Sequence, residues 1–193
     1  MNEEQKLAVS EGLRRLRTVI GEYAWWVRKG ADDVLRLEFG PPHLVVHEPM
    51  PLAPDASRTV IDALGRRLVE PAGKWHLFVE DGDWAIVTKS GGTRRFDADH
   101  ARAAVALRQL DGQKLTSIDY LQRPNGWHLR FDLGGSLTIS RSTPADNARN
   151  DESVWALFCE DGAWFSFRND MRVAHKTWLG PHSALRCNRA GEE

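Results

Sequence analysis

A ten-residue stretch of this chain occurs twice in closely similar form. Trp75-His76-Leu77-Phe78-Val79-Glu80-Asp81-Gly82-Asp83-Trp84 is matched by Trp155-Ala156-Leu157-Phe158-Cys159-Glu160-Asp161-Gly162-Ala163-Trp164, 80 positions later (155 − 75). A second pair, Leu35-Arg36-Leu37-Glu38-Phe39-Gly40 and Leu129-Arg130-Phe131-Asp132-Leu133-Gly134, stands at an offset of 94 (129 − 35). The two motifs keep the same order in both halves. Ordered duplication of β-type motifs predicts the fold class: α+β, mainly β, in two tandem pseudo-symmetric repeats, each a helix followed by an antiparallel β-sheet. The first repeat is expected over residues 1–92 and the second over 93–180, with a boundary at Ser90-Gly91-Gly92-Thr93 and a polar tail at 181–193.

Local patterns fill in this outline. Residues 3–17 carry Leu7, Leu13 and Leu16, with Ile20 just beyond, at spacings that share one broad helical face; acidic residues come early and Arg14, Arg15 and Arg17 late, as the helix dipole favours. A second helix is expected over 99–110, stopped at Asp111-Gly112. Five strands follow each helix, at about 23–28, 34–39, 43–48, 75–80 and 84–88, then 114–121, 127–133, 136–141, 154–160 and 164–168. Gly, Pro, Asp or Asn bounds each of them. Trp127, Leu129, Phe131 and Leu133 alternate with His128, Arg130 and Asp132, the pattern of a sheet with one buried and one wet face. Glu-Asp-Gly between the paired tryptophans reads as a hairpin turn in both copies, because Asp-Gly supplies the positive φ that tight hairpins need. Most of the eight tryptophans are expected in the core.

The halves differ by an insertion at 51–67 in the first. Ser57 is placed to cap a short helix through Ile61 and Leu64 that ends at Gly65. This is the least repetitive part of the chain, and so the place to look for a specialised contact.

Composition narrows the function classes. A net charge of −1 provides no overall attraction to nucleic acid or anionic membrane, and no apolar run reaches the ~20 residues that span a bilayer. The acidic, polar start lacks the features of a signal peptide, which predicts a cytoplasmic location. Two cysteines, Cys159 and Cys187, are too few for a disulfide framework or a four-thiolate zinc site. No phosphate loop, dinucleotide fingerprint or Gly-x-Ser-x-Gly elbow is present. Glu80-Asp81 and Glu160-Asp161 recur on equivalent turns, which argues for duplicated fold rather than acid–base chemistry.

The sharpest chemical feature is His43-Leu44-Val45-Val46-His47-Glu48. On a strand His43 and His47 share a face, so a metal-dependent enzyme using His43, His47 and Glu48, with His76 as a further ligand, is one alternative. Phe78 and Phe158 fall opposite their neighbouring tryptophans, as Phe165 and Phe167 do relative to Trp164; these strands are either buried on both faces or display an aromatic contact patch.

Through Leu35–Phe39 with Gly40, Trp75-His76-Leu77-Phe78, Leu110-Asp111-Gly112-Gln113 and Phe131-Asp132-Leu133-Gly134-Gly135, the chain resembles a set of bacterial proteins grouped as a domain of unknown function, over residues 16–167. The resemblance implies no activity. Cysteines often follow the first Trp-His-Leu strand in that set; here Val79-Glu80-Asp81 stands instead, so no thiol chemistry is implied. In size and class the chain is also similar to bacterial immunity proteins.

These readings converge on a non-enzymatic protein with no cofactor, which binds another protein, as a toxin-neutralising immunity protein does. A small-ligand binder and a homodimerisation unit are alternatives, and the reading excludes a membrane and disfavours nucleic acid. The expected contact residues are His43, His47, Glu48, Asp55, Arg58, Asp62, Arg66 and Arg67, on the strand at 43–48 and in the insertion beside it.

Overall fold

The computed structural model describes residues 1–30, 33–53, 55, 57–95, 100–123, 125–141 and 152–177. The fold is mainly β with antiparallel sheets, as expected. Its first six strands are β1 (Ala24–Lys29), β2 (Leu35–Phe39), β3 (His43–His47), β4 (Leu68–Ala72), β5 (Trp75–Val79) and β6 (Asp83–Thr88). Then follow β7 (Gly91–Arg94), β8 (Leu115–Leu121), β9 (Gly126–Phe131), β10 (Ser136–Ser140), β11 (Ser153–Cys159), β12 (Ala163–Arg168) and β13 (Val173–Thr177). The helices are α1 (Glu3–Leu16), α2 (Arg58–Leu64) and α3 (His100–Leu110). The strands at 68–72, 91–94 and 173–177 were not among those expected.

Two sheets form a sandwich. One runs β1-β2-β5-β11-β12-β13 and the other β7-β6-β10-β9-β8; among the described residues β3 and β4 pair only with each other. Each large sheet therefore takes strands from both sides of residues 92–93. Ser90-Gly91-Gly92-Thr93 is no linker: it turns the chain from β6 into its hairpin partner β7. Between the sheets, Trp127 meets Trp155 edge-on at 5.3 Å and Phe167 at 5.0 Å. Leu37, Phe39, Leu77, Ile86, Leu129, Leu137 and Ile139 fill the rest of a continuous core. Of the tryptophans, Trp84, Trp127 and Trp155 are fully buried, while Trp25, Trp26, Trp75 and Trp164 are half-buried.

The duplicated tryptophan motif is the clearest correction. Trp155 to Trp164 is a hairpin, with Phe158 opposite Trp164. Trp75 to Trp84 is not: β5 lies in the six-stranded sheet and β6 in the other, so Glu80-Asp81-Gly82 carries the chain across the sandwich. The cause is edge availability. β5 is flanked by β2 and β11, which leaves β6 no edge to pair with. Likewise Gly40-Pro41-Pro42 does not fold β3 back on β2, whereas Gly134-Gly135 joins β9 and β10 as a hairpin.

The helices seal the two open sides of the sandwich. α1 packs on β8, β12 and β13, and α3 on β1, β6 and β7. α1 begins at a capping box in which the Asn2 side chain accepts the Gln5 N–H (2.8 Å) and the Gln5 side chain accepts the Asn2 N–H (3.0 Å). Its buried face is Ala8, Val9, Gly12 and Leu16, with Leu13 packed against the core; of the expected stripe Leu13 and Leu16 face inward, whereas Leu7 is 70% exposed and Ile20 is exposed as well. The Trp127 ring lies directly against Gly12 and leaves no room for a Cβ, so the small residues face inward. Where the first helix leads into β1, the chain bonds to the segment that leads from α3 into β8. Gly21 N–H donates to Leu115 C=O, and Gly112 N–H donates to Ala24 C=O. Leu115 N–H donates to Glu22 C=O, and Ala24 N–H donates to Gln113 C=O. Every group in one bond of each pair lies 91 positions from its counterpart in the other (112 − 21, 115 − 24, 113 − 22).

Candidate functional site

The β2–β5 ladder ends at the Phe39–Trp75 pair. Beyond it both strands continue into a second ladder, β3–β4, which runs from His43–Ala72 to His47–Leu68. β3 and β4 are thus the bent continuation of a sheet hairpin, tipped by α2. The bend is fixed by Glu38. This carboxylate is 2% exposed; one oxygen accepts the Gly73 N–H (2.9 Å) and the other contacts His76 Nδ1 at 2.5 Å. Gly73 packs so closely on the Phe39 backbone that a Cβ there would lie 2.6 Å from the Phe39 carbonyl oxygen. α2 is capped as the sequence indicates: the Ser57 hydroxyl accepts the Val60 N–H at 3.3 Å, and Gly65 ends the helix.

The two faces of this arm differ. His43, Val45, His47, Leu68, Glu70 and Ala72 are half-buried and turn toward the sandwich. Burial and the nearby Arg36 push the Arg28 guanidinium of β1 below its ordinary pKa, while Glu70 acts in the opposite direction, so this face looks back toward β1. The other face is Leu44, Val46, Val69 and Pro71, all exposed, with Leu44 opposite Pro71 and Val46 opposite Val69. Leu44 is 71% exposed. α2 adds Val60, Ile61 and Leu64, and the approach to it adds Met50. Seven of the fourteen exposed large hydrophobic residues among the described ones lie in this arm, so apolar exposure is concentrated there rather than scattered.

All eight contact residues named from the sequence fall on the arm. His43 and His47 do share a face, but it is the inward one, and His47 Nε2 lies 3.8 Å from Glu70. Glu48 is gripped by Arg67 through three hydrogen bonds of 2.9–3.0 Å. Arg58 reaches Asp62 at 3.2 Å on α2, and Asp55 and Arg66 are exposed. The metal reading finds no assembled ligand set: Glu48 is turned to Arg67, His76 to Glu38, and no three His, Cys, Asp or Glu side chains among the described residues are grouped to hold an ion. The aliphatic face was not among the features expected from the sequence. The signal was in the same five residues, since Leu44 and Val46 are the alternate positions.

The aromatic alternatives divide. Phe165 and Phe167 are core. Phe78 and Phe158 are half-buried on the outer face of the six-stranded sheet, in contact with each other at 5.3 Å, with His76 stacked on Phe78 and Trp164 on Phe158. Cys159 ends β11 half-buried, and burial pushes its thiol pKa up, away from the reactive range. A shallow depression of about 310 Å³ beside β6 and β7 is lined by Ala85, Val87, Gly92, Arg94 and Arg102; it brings together no acid, base and nucleophile.

No family model matches the chain, and no curated protein or solved structure is significantly similar to it. Among the described residues no helix is long and apolar enough to cross a membrane.

Proposed function

We propose that this protein is a non-enzymatic protein-binding module and that the β3–α2–β4 arm is its contact surface. The observation that carries the reading is the concentration of exposed aliphatic side chains on one short appendage whose strands, among the described residues, pair only with each other. Such a patch costs solubility unless a partner covers it. Its ion pairs, Arg67–Glu48 and Arg58–Asp62, are the polar surroundings typical of an interface rim. A toxin-neutralising role is one instance of this reading. The test is matched capture from the source cell with the wild-type chain and with Val69→Asp/Ile61→Asp, two exposed positions where charge leaves the core untouched. A protein retained by the first and lost by the second supports the arm. Identical captured sets overturn it.

We also infer that the two halves are exchanged copies of one unit. The paired hydrogen bonds 91 positions apart support this, as does the way α1 and α3 pack on corresponding strands of opposite halves. The arm is the part with no counterpart, because β10 pairs with β9 where β3 leaves β2. A surface that departs from the repeated plan is free of the constraints that fold the rest.

A further inference from the structure

The arm's face is one surface and its edge is another. Among the described residues each arm strand has a ladder partner on one side only. The hydrogen bonding of that ladder follows from Pro71. Proline has no N–H, so Leu44–Pro71 is a pair that exchanges no hydrogen bonds, and in an antiparallel ladder the two pair types alternate. Val46–Val69 is then of the same type, while His43–Ala72, Val45–Glu70 and His47–Leu68 are the bonded pairs. Leu44 and Val46 therefore aim their N–H and C=O groups at the open edge of β3. On β4 the corresponding outward groups are those of Val69 and Pro71, so that edge is interrupted by proline, a usual means of blocking strand addition. β3 carries no proline, lysine or bulge to block its edge.

The strand that is left open suits itself. His43-Leu44-Val45-Val46-His47 reads almost the same in both directions. Aligned antiparallel with a second copy about a two-fold axis at Val45, Leu44 of each copy stands opposite Val46 of the other. Leu44 and Val46 hold the outward donors and acceptors, so this register makes four hydrogen bonds and leaves none of those groups unpaired. Leu44 and Val46 also share a face, so each new cross-strand pair is aliphatic against aliphatic. A two-stranded ribbon is marginal in water, and the pairing converts two of them into one four-stranded sheet. The arm carries four acidic residues (Glu48, Asp55, Asp62, Glu70) and three basic ones (Arg58, Arg66, Arg67), so two arms meet with little net repulsion.

We propose that the occupant of the β3 edge is a second copy of this chain, joined antiparallel through Leu44 and Val46 into a continuous β4-β3-β3-β4 sheet across a two-fold axis. The proposal uses the edge of the arm whose face was read above as a docking surface, and it extends that face across both copies.

Sedimentation of the full chain over a wide concentration range tests it, with Val46→Pro as the decisive variant. The Val46 N–H points outward, so proline there spares the β3–β4 ladder but deletes two of the four intermolecular bonds. Val46→Thr keeps the N–H and serves as control. The expected result is a wild-type dimer, a Val46→Thr dimer, and a dissociation constant for Val46→Pro raised by about tenfold or more. Amide hydrogen exchange gives a second readout independent of that variant: Leu44 and Val46 gain protection as the wild-type concentration rises, while Val45, bonded to Glu70, is protected throughout. A wild-type chain that stays monomeric, a Val46→Pro dimer of unchanged strength, or Leu44 and Val46 amides whose exchange ignores concentration overturns the proposal. Val69→Asp changes the face and leaves this edge intact, so failure of the docking reading and failure of self-pairing are separately visible.

Discussion

Trp75 to Trp84 and Trp155 to Trp164 have nearly the same sequence and different structures. In the later copy Glu160-Asp161-Gly162 turns a hairpin, and Gly162 takes φ +82°. In the earlier copy Gly82 is not among the positive-φ residues; it passes so close to β11 that a Cβ would lie 2.7 Å from Val154 Cγ1 and 2.8 Å from its carbonyl oxygen. One glycine serves backbone conformation and the other serves close approach. The tryptophans exchange roles as well. Trp155 is fully buried and Trp164 half-buried, whereas Trp75 is half-buried and Trp84, whose indole N–H reaches the Asp33 carbonyl at 3.1 Å, is buried. A turn motif specifies that a chain changes direction. Which strands then pair depends on which edges remain open.

The largest effects separate the tryptophans. Trp155→Ala and Trp84→Ala are each expected to cost about 3–5 kcal/mol, and Trp75→Ala and Trp164→Ala markedly less, by denaturant unfolding. If the first tryptophan of both motifs proved the costly one, the crossover would be wrong and both copies would be hairpins. Next come the glycines. Gly82→Ala meets backbone and is expected to lose roughly 2–3 kcal/mol, against about 1 kcal/mol for Gly162→Ala. Asparagine sharpens the contrast: it tolerates positive φ at 162 but is worse than alanine at 82. A smaller effect divides the aspartates. Burial, with Glu152 adding to it, raises the Asp81 pKa above the ordinary carboxylate value despite Arg95. The folded state then holds this proton more tightly than the unfolded chain, so Asp81 weighs against stability above its folded pKa and ceases to do so as pH falls below the unfolded value. Asp81→Asn should therefore be slightly stabilising at neutral pH and neutral in acid, seen as a pH-dependent melting difference. Asp161→Asn should be near neutral at neutral pH, since its side-chain oxygen still accepts the Ala163 N–H (2.9 Å). A melting difference for Asp81→Asn that does not change with pH would remove the distinction.

What the sequence disclosed was local. The Ser57 cap, the Gly65 stop, α1 with its charge gradient and the alternation from Trp127 to Phe131 all depend on neighbours within a few positions, and all are present. Leu133, read as the inward end of that alternation, is instead 59% exposed on the β9–β10 turn. Leu13 and Leu16 hold the expected core side of α1, but Leu7 and Ile20 do not, because the helix packs through Gly12 on Trp127, more than a hundred positions away. β4, a strand not expected from the sequence, contains Pro71, which a central strand would exclude but an edge strand allows. The expected insertion at 51–67 lies within an appendage that spans 43–72, because β3 pairs with β4 and not with the sheet strands.

That each large sheet joins strands from before and after residues 92–93 has a consequence for the order of synthesis. When β1, β2, β5, β6 and β7 have left the ribosome, neither sheet has its centre: the first still needs β11 beside β5, and the second needs β10 beside β6. The early half emerges with open edges and must wait for residues up to 177 before its contacts close. Such long-range pairing makes for slow, all-or-none folding and for nascent chains that depend on protection from aggregation. Losing the last two strands would then leave more than a frayed end, since β12 covers β11, and α1 packs on β12 and β13.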